Sequence, residues 1–169
     1  MQVSDAIDDL GNPDREIRIA AVKRLSEWGE ASVAPLIRTI EESGSADVRW
    51  YASLALSRIG APAVDPLIQA LRAIPDPGFR RYAAAALGHI GDAAIDPLIA
   101  AMKDADPPLR GYLSAALCRI GAPALARLRD LYLGDDAELR SCAELTLWGM
   151  GEEGIRAMVQ SIEEDEKGA

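Results

Sequence analysis

The chain has 169 residues, of which 49% are hydrophobic and only 5% aromatic, and its formal net charge is −9. The apolar residues are mostly Ala, Leu and Ile, which favour close-packed helices over a β-sandwich, and the length suits one domain that hides roughly 70% of its unfolded surface. A strongly acidic protein repels the phosphate backbone, so the charge argues against nucleic acid as a partner.

Neither the N-terminus nor any later segment has the pattern of a targeting or membrane signal. The first ten residues lack a basic region followed by an apolar run, and no stretch approaches the length of a membrane span. The two cysteines, Cys118 and Cys142, fit no metal pattern and no disulfide framework. We therefore expect a cytoplasmic protein that binds no membrane, metal or cofactor.

In chain order, the sequence predicts a short opening helix at residues 3–10, and then two helix types that alternate five times. Each helix of the first type contains an Arg and ends at a Gly eleven residues later; these segments are 17–29, 48–60, 79–91, 109–121 and 139–151. Helices of the second type are 31–42, 62–73, 93–104, 123–133 and 153–164. The pattern predicts eleven helices, arranged as five helix pairs and a closing helix.

The first type, called here the arginine helix, keeps one internal register through all its copies. Its arginines are Arg18, Arg49, Arg80, Arg110 and Arg140, spaced by 31, 31, 30 and 30 residues. Positions −1, +3, +7 and +10 from each Arg form an apolar stripe at helical period, and an Asp or Ser at −4 can cap the helix start. The Gly at +11 can take the left-handed conformation that ends a helix.

We interpret the five arginines as structural residues. At the edge of the apolar stripe, the stem of each Arg can stack on the next repeat while its guanidinium pairs with an Asp of a neighbouring loop. The second helix type carries Pro35, Pro66 and Pro97 in its first three copies. Because proline removes a backbone hydrogen bond, we expect those helices to start late or to bend near it.

The segment VRWYASLALSRIGAPAVDPLIQAL, residues 48–71, resembles the HEAT-like repeats of the phycobilisome-lyase (PBS lyase) type. The resemblance covers residues 3–164 and implies an all-α, right-handed α-α superhelix of the HEAT/armadillo kind, with the arginine helices on its concave side. It implies a single domain, 1–169, with repeats at about 1–29, 30–60, 61–91, 92–121 and 122–151 and a capping helix at 152–164. The family includes enzymes, lyase subunits and adaptors, so architecture does not determine function.

At about 100° per residue, positions +1, +2, +5 and +9 of each arginine helix lie opposite the apolar stripe. Tyrosines occupy position +2 in three consecutive repeats, beside a row of basic residues at +9. Tyr, Trp and Arg often carry binding energy at interfaces, so the sequence predicts a groove with an aromatic floor and a basic edge. In the alternative interpretation, the tyrosines pack between adjacent helices. The candidate groove residues are Trp50, Tyr51, Arg58, Arg81, Tyr82, His89, Tyr112 and Arg119.

The sequence thus predicts a non-catalytic scaffold or adaptor, a monomer or weak dimer, that binds a protein or peptide with acidic and apolar groups. The alternative is a bilin-lyase-type auxiliary subunit, or another HEAT-like enzyme component that handles a small ligand, with bilin propionates bound by Arg58 and Arg119. Catalysis is disfavoured because a single histidine, His89, cannot build the His-Glu iron site of the HEAT-like deoxyhypusine hydroxylases. Neither cysteine has an activating base nearby in sequence.

Overall fold

The computed structural model describes residues 2–168, and this part of the chain forms eleven α-helices and no strand. The arginine helices are the even-numbered ones, and they alternate along the chain with helices of the second type. The predicted all-α superhelix of HEAT-like repeats is therefore confirmed. In chain order the helices are α1 (Val3–Asp8), α2 (Arg15–Glu27), α3 (Glu30–Glu42), α4 (Ala46–Ile59), α5 (Val64–Ala73), α6 (Pro77–Ile90), α7 (Ile95–Lys103), α8 (Pro107–Ile120), α9 (Ala122–Leu133), α10 (Ala137–Gly149) and α11 (Glu152–Gly168).

The arginine helices begin and end where local chemistry predicts. At each start, an Asp or Ser side chain accepts a hydrogen bond from a backbone N–H of the first turn, which would otherwise lack a partner. The capping residues are Asp14, Ser45, Asp76, Asp106 and Asp136. At the ends, five glycines adopt φ values from 59° to 83°, a region that side chains with a Cβ rarely enter. They are Gly29, Gly60, Gly91, Gly121 and Gly151.

The prolines of the second helix type take two different positions. Pro66 and Pro97 are each the third residue of their helix, α5 and α7, and a 3₁₀ turn precedes both helices. These two helices start late, as predicted, because a proline in the first turn gives up no intrahelical hydrogen bond. Pro35 lies instead inside α3, which already begins at Glu30, so of the two predicted outcomes the late start does not occur in this repeat.

The repeated arginines bind backbone carbonyls, so the predicted pairing with a loop Asp is wrong. The Nε atom of Arg80 donates to the carbonyl oxygens of Leu71 at 3.0 Å and Ile74 at 3.2 Å. In the preceding repeat, Arg49 Nε donates to the carbonyl of Ser43 at 2.6 Å. The last carbonyls of a helix have no intrahelical donor and carry the negative end of its dipole. Four of the arginines therefore join their own helix to the end of the helix before it, and Arg18 binds carbonyls of the loop before α2.

The core is continuous along the stack and the stack is curved. Buried apolar residues form one cluster that extends from Ala6 to Met158. Adjacent arginine helices contact one another more extensively than adjacent helices of the second type. This asymmetry is consistent with the arrangement that the resemblance to HEAT-like repeats implies, with the arginine helices lining the concave groove and the other helices on the outer surface.

Candidate binding groove

The exposed side of the groove is formed by positions +1, +5 and +9 of the arginine helices. Trp50, at +1 of α4, is 52% exposed, and Arg81 is exposed at the equivalent position of α6. The predicted basic row at +9, Arg58, His89 and Arg119, is also exposed. The structure thus places five of the eight predicted groove residues on one accessible face of α4, α6 and α8.

The tyrosines are less accessible than the sequence pattern predicted. Tyr51 is only 9% exposed, and Tyr82 and Tyr112 are half-buried against the core. Position +2 faces the preceding repeat, as shown by the Arg18 guanidinium, which lies 5.1 Å from the centre of the Tyr51 ring. The predicted aromatic floor is therefore wrong for Tyr51, because stacking of adjacent helices covers its ring.

Trp50 provides an aromatic surface in the N-terminal half of the groove. Its ring meets the buried Tyr51 ring edge-on, with 4.8 Å between the centroids. This T-shaped packing holds the indole in place while about half of its surface stays open to solvent. One repeat further along, the Arg81 guanidinium lies 5.0 Å from the centre of the Tyr82 ring. The rings of Tyr51 and Tyr82 therefore pack against the exposed groove residues Trp50 and Arg81.

The middle of the groove contains basic residues and no carboxylate. In α4, α6 and α8, the nine side chains at +1, +5 and +9 include three arginines and one histidine but no Asp or Glu. Within the described part of the chain, no carboxylate forms an ion pair with Arg58, Arg81 or Arg119. On the outer surface, by contrast, Arg127 pairs with Asp96 at 2.7 Å. The groove is thus locally cationic in a protein with 27 acidic residues.

Contacts with the surrounding helices hold two of these side chains in defined positions. A Cβ atom added to Gly88 of α6 would lie within 2.6–2.9 Å of the Arg119 side chain, so the stem of Arg119 rests directly on that glycine. The Nδ1 atom of His89 donates to the carbonyl oxygen of Ala85 at 2.8 Å, which orients the ring along its own helix. Both side chains therefore reach the groove from ordered positions.

A cavity of about 480 Å³ opens between α8 and α10 in the C-terminal half of the groove. Gly111 and Ser141 occupy position +1 on its two sides, where the earlier repeats carry Trp50 and Arg81. In the sequence, the only sign of this space is the small size of Gly111 and Ser141. The width of the gap depends on the distance between two helices, which no residue pattern specifies. The lining residues are Met102, Pro107, Arg110, Gly111, Ser114, Ala137, Glu138, Ser141, Cys142 and Leu145.

The end of the stack leaves a further aromatic side chain uncovered. Position +8 faces the next arginine helix in the inner repeats, where Cys118 lies against Gly149 of α10 and Gly88 lies against Arg119. At the same position of α10 stands Trp148, which is 59% exposed. No arginine helix follows α10 in the described chain, so the indole stays open to solvent.

Both thiols lie in environments that lower their reactivity. Burial raises the pKa of both thiols, Cys118 and Cys142, and a raised pKa lowers the fraction of reactive thiolate. Cys118 also donates to the carbonyl of Thr146, with 3.4 Å between Sγ and oxygen. Among residues 2–168, no group of three or more His, Cys, Asp or Glu side chains is arranged to hold a metal ion. No helix in this range has the length and apolar character that crossing a bilayer requires.

Comparison with known proteins agrees with this architecture. The family model for HEAT repeats matches residues 3–73 and 64–148. The chain belongs to the HEAT repeat family. A search of curated proteins finds no match.

Several solved structures are similar to this HEAT repeat chain in fold. One is a chain in the complex of CpcE and CpcF of phycocyanin lyase from Nostoc sp. PCC7120. Its sequence is 23% identical to this one, the match covers 85% of this chain and 96% of that chain, and the TM-score is 0.43. Another is a designed armadillo repeat protein in complex with the peptide (KR)4. Its sequence is 17% identical to this one, the match covers 95% of this chain and 88% of that chain, and the TM-score is 0.35. At these identities and TM-scores, neither likeness indicates what this chain does.

Proposed function

We propose that this HEAT repeat protein is a non-catalytic scaffold or adaptor whose concave groove binds a protein or peptide segment with acidic and apolar groups. The observation that carries the proposal is the composition of the groove centre, which has three arginines, one histidine and no carboxylate at nine exposed or half-buried positions. Because the groove arginines have no carboxylate partner among the described residues, they are available for charge-assisted hydrogen bonds to carboxylates of a ligand.

The charges also explain how such a partner could be selected. The protein as a whole carries a net charge of −9, whereas the groove centre has basic side chains and no carboxylate, so the groove attracts an acidic ligand that the net charge repels. At physiological salt, exposed charges interact over about 8 Å, which makes this attraction local and dependent on ionic strength. The exposed indole of Trp50 and the small side chains Ala85 and Ala115 provide apolar contact surface beside the cations.

The test compares two variants that carry the same change in net charge. In the groove variant, Arg58, Arg81 and Arg119 are changed to Glu. In the control, three arginines of the outer surface are changed to Glu instead: Arg38, Arg127 and Arg156. Binding of a short fluorescein-labelled peptide made of Asp, Glu, Gly, Ser, Leu and Trp is measured by anisotropy at low salt. A peptide with Lys in place of the acidic residues serves as the ligand control.

We expect the wild type to bind the acidic peptide and not the basic one, and the groove variant to lose at least about tenfold in affinity. The outer-surface control should bind within about twofold of the wild type. Equal losses in the two variants would refute the groove as the binding site, because the effect would then come from net charge alone. Far-UV circular dichroism checks that both variants remain folded.

Handling of a small ligand, as in a bilin-lyase-type auxiliary subunit, is the second candidate function. The observation in its favour is the cavity of about 480 Å³ between α8 and α10, a volume in the range of about 300–1,000 Å³ that is usual for ligand pockets. Titration with a free bilin would support this function if the absorbance spectrum changed in the wild type but not in a variant with a filled cavity. An unchanged spectrum would contradict it.

We further propose that the protein works in the cytoplasm as a monomer or weak dimer. Cys118 and Cys142 are both free thiols, which suits a reducing compartment. Light scattering after size-exclusion chromatography over a range of concentrations tests the oligomeric state, and a stable dimer at low concentration would contradict this part of the proposal.

A further inference from the structure

The cavity between α8 and α10 marks a change in the character of the groove. The arginine helices α6 and α8 pack closely, whereas α8 and α10 contact each other less. Gly111 and Ser141 add almost no side-chain volume at the gap, and Leu145, which is 69% exposed, stands at its side. The groove therefore has a mainly apolar recess next to its cationic centre.

The chemistry of the recess favours an apolar occupant. Its apolar walls include Met102, Pro107 and Leu145. The Ser114 hydroxyl already hydrogen-bonds the Thr146 hydroxyl at 2.9 Å, and that hydroxyl donates to the Cys142 carbonyl at 2.7 Å. Because these polar atoms already have partners, they leave few hydrogen bonds for a ligand, whereas burial of an apolar group needs none.

The rim of the recess carries two charged side chains, and they form an ion pair with each other. Arg110 Nη2 donates to a carboxylate oxygen of Glu138 at 2.9 Å, and this ion pair joins α8 to α10 at one end of the recess. The nearest cation on α8 without a carboxylate partner is Arg119, eight residues after Gly111. That separation is about 12 Å along the helix axis, or about four residues of an extended chain. A segment that fills the recess can thus also reach Arg119 with a carboxylate.

We infer that the recess between α8 and α10 takes one bulky apolar side chain, aromatic or large aliphatic, of the acidic segment that binds the groove. This inference rests on the proposed function and specifies it. The carboxylates of the segment select the groove through its cations. The apolar anchor fixes the position of the segment, with an acidic residue about four positions away to meet Arg119.

The test uses a set of peptides and a pair of variants at one position. Short fluorescein-labelled peptides of Asp, Glu, Gly and Ser carry a single central guest residue, which is Trp, Leu or Ala. No atom lies within 4 Å of a Cβ added to Gly111, so Gly111→Ala can be accommodated. The ring of Gly111→Phe has the cavity that Gly111 lines beside it. The Phe variant fills the recess. The Ala variant leaves most of its volume free and is the matched control.

The wild type and Gly111→Ala should bind the Trp or Leu peptide about tenfold or more tightly than the Ala peptide, as expected for burial of a large apolar side chain. Gly111→Phe should bind all three peptides with the affinity of the Ala peptide. Equal affinity for the three guests in the wild type, or full guest preference in Gly111→Phe, would overturn the inference.

The same measurements separate this inference from the proposed function. If the peptides bind and the groove variant loses that binding, but the guest residue has no effect, the proposed function stands and the anchor recess is refuted. If the guest preference persists in the groove variant with undiminished affinity, the cationic groove is refuted and the recess stands. A complete lack of binding by all three acidic peptides would refute both.

Discussion

Replacement of Arg80 by Met tests whether the repeated arginines hold the stack together. Arg80 is only 5% exposed, and its Nε atom donates to the carbonyl oxygens of Leu71 and Ile74. Methionine keeps most of the apolar stem but removes the donor, so one buried and one half-buried carbonyl lose a charged partner. Loss of a hydrogen bond to a charged group costs about 1.5–3 kcal/mol, and we expect a loss of about 2–3 kcal/mol in the free energy of unfolding.

The matched control for this prediction is Arg140→Met in the last repeat. Arg140 binds the carbonyl of Gly134 through Nε at 3.1 Å and Nη2 at 2.8 Å, but the site is exposed and water can replace the arginine. Its loss should cost less than about 1 kcal/mol. Urea unfolding followed by far-UV circular dichroism measures both, and Arg80→Met should lower the Tm by about 5–10 °C. Equal losses for the two variants would refute the reasoning from burial.

Three further predictions concern other residues. In Gly154→Ala, the new Cβ would lie 1.9 Å from the carbonyl oxygen of Leu147, so we expect α11 to shift, with a loss of more than about 2 kcal/mol measured by urea unfolding. Tyr51→Ala should lower the free energy of unfolding by about 3 kcal/mol because the ring is buried, whereas Trp50→Ala should lower it by less than about 1 kcal/mol because the indole is half exposed. Similar losses in the two variants would contradict this difference in burial. The raised pKa of the Cys142 thiol predicts slower alkylation at pH 8 in the native protein than in urea, with a rate that increases as the pH rises; equal rates would contradict it.

The sequence predicted the helices because their boundaries depend on local chemistry. Capping residues such as Asp76 and left-handed glycines such as Gly91 act within one helical turn, so their spacing alone defines the repeat. The exposed row at +9 was also predictable, since the apolar stripe defines the opposite face of each helix.

The features that sequence reasoning missed, or left open between two interpretations as for Tyr51, depend on how neighbouring helices are placed. Burial of Tyr51 follows from the offset between α2 and α4, which brings Arg18 over its ring. The partners of Arg80 are backbone carbonyls, and carbonyls carry no sequence signature. The recess beside Gly111 depends on the spacing of α8 and α10, and the small residue shows only that space is possible.

The positions of the three tryptophans determine what intrinsic fluorescence can report. Trp28, Trp50 and Trp148 are 36%, 52% and 59% exposed, so none of the indoles belongs to the core. Their emission should already be close to that of indole in water, and unfolding should change it little. A ligand that covers Trp50 would instead move the emission to shorter wavelength. In this protein, tryptophan fluorescence is therefore a probe of groove occupancy rather than of folding.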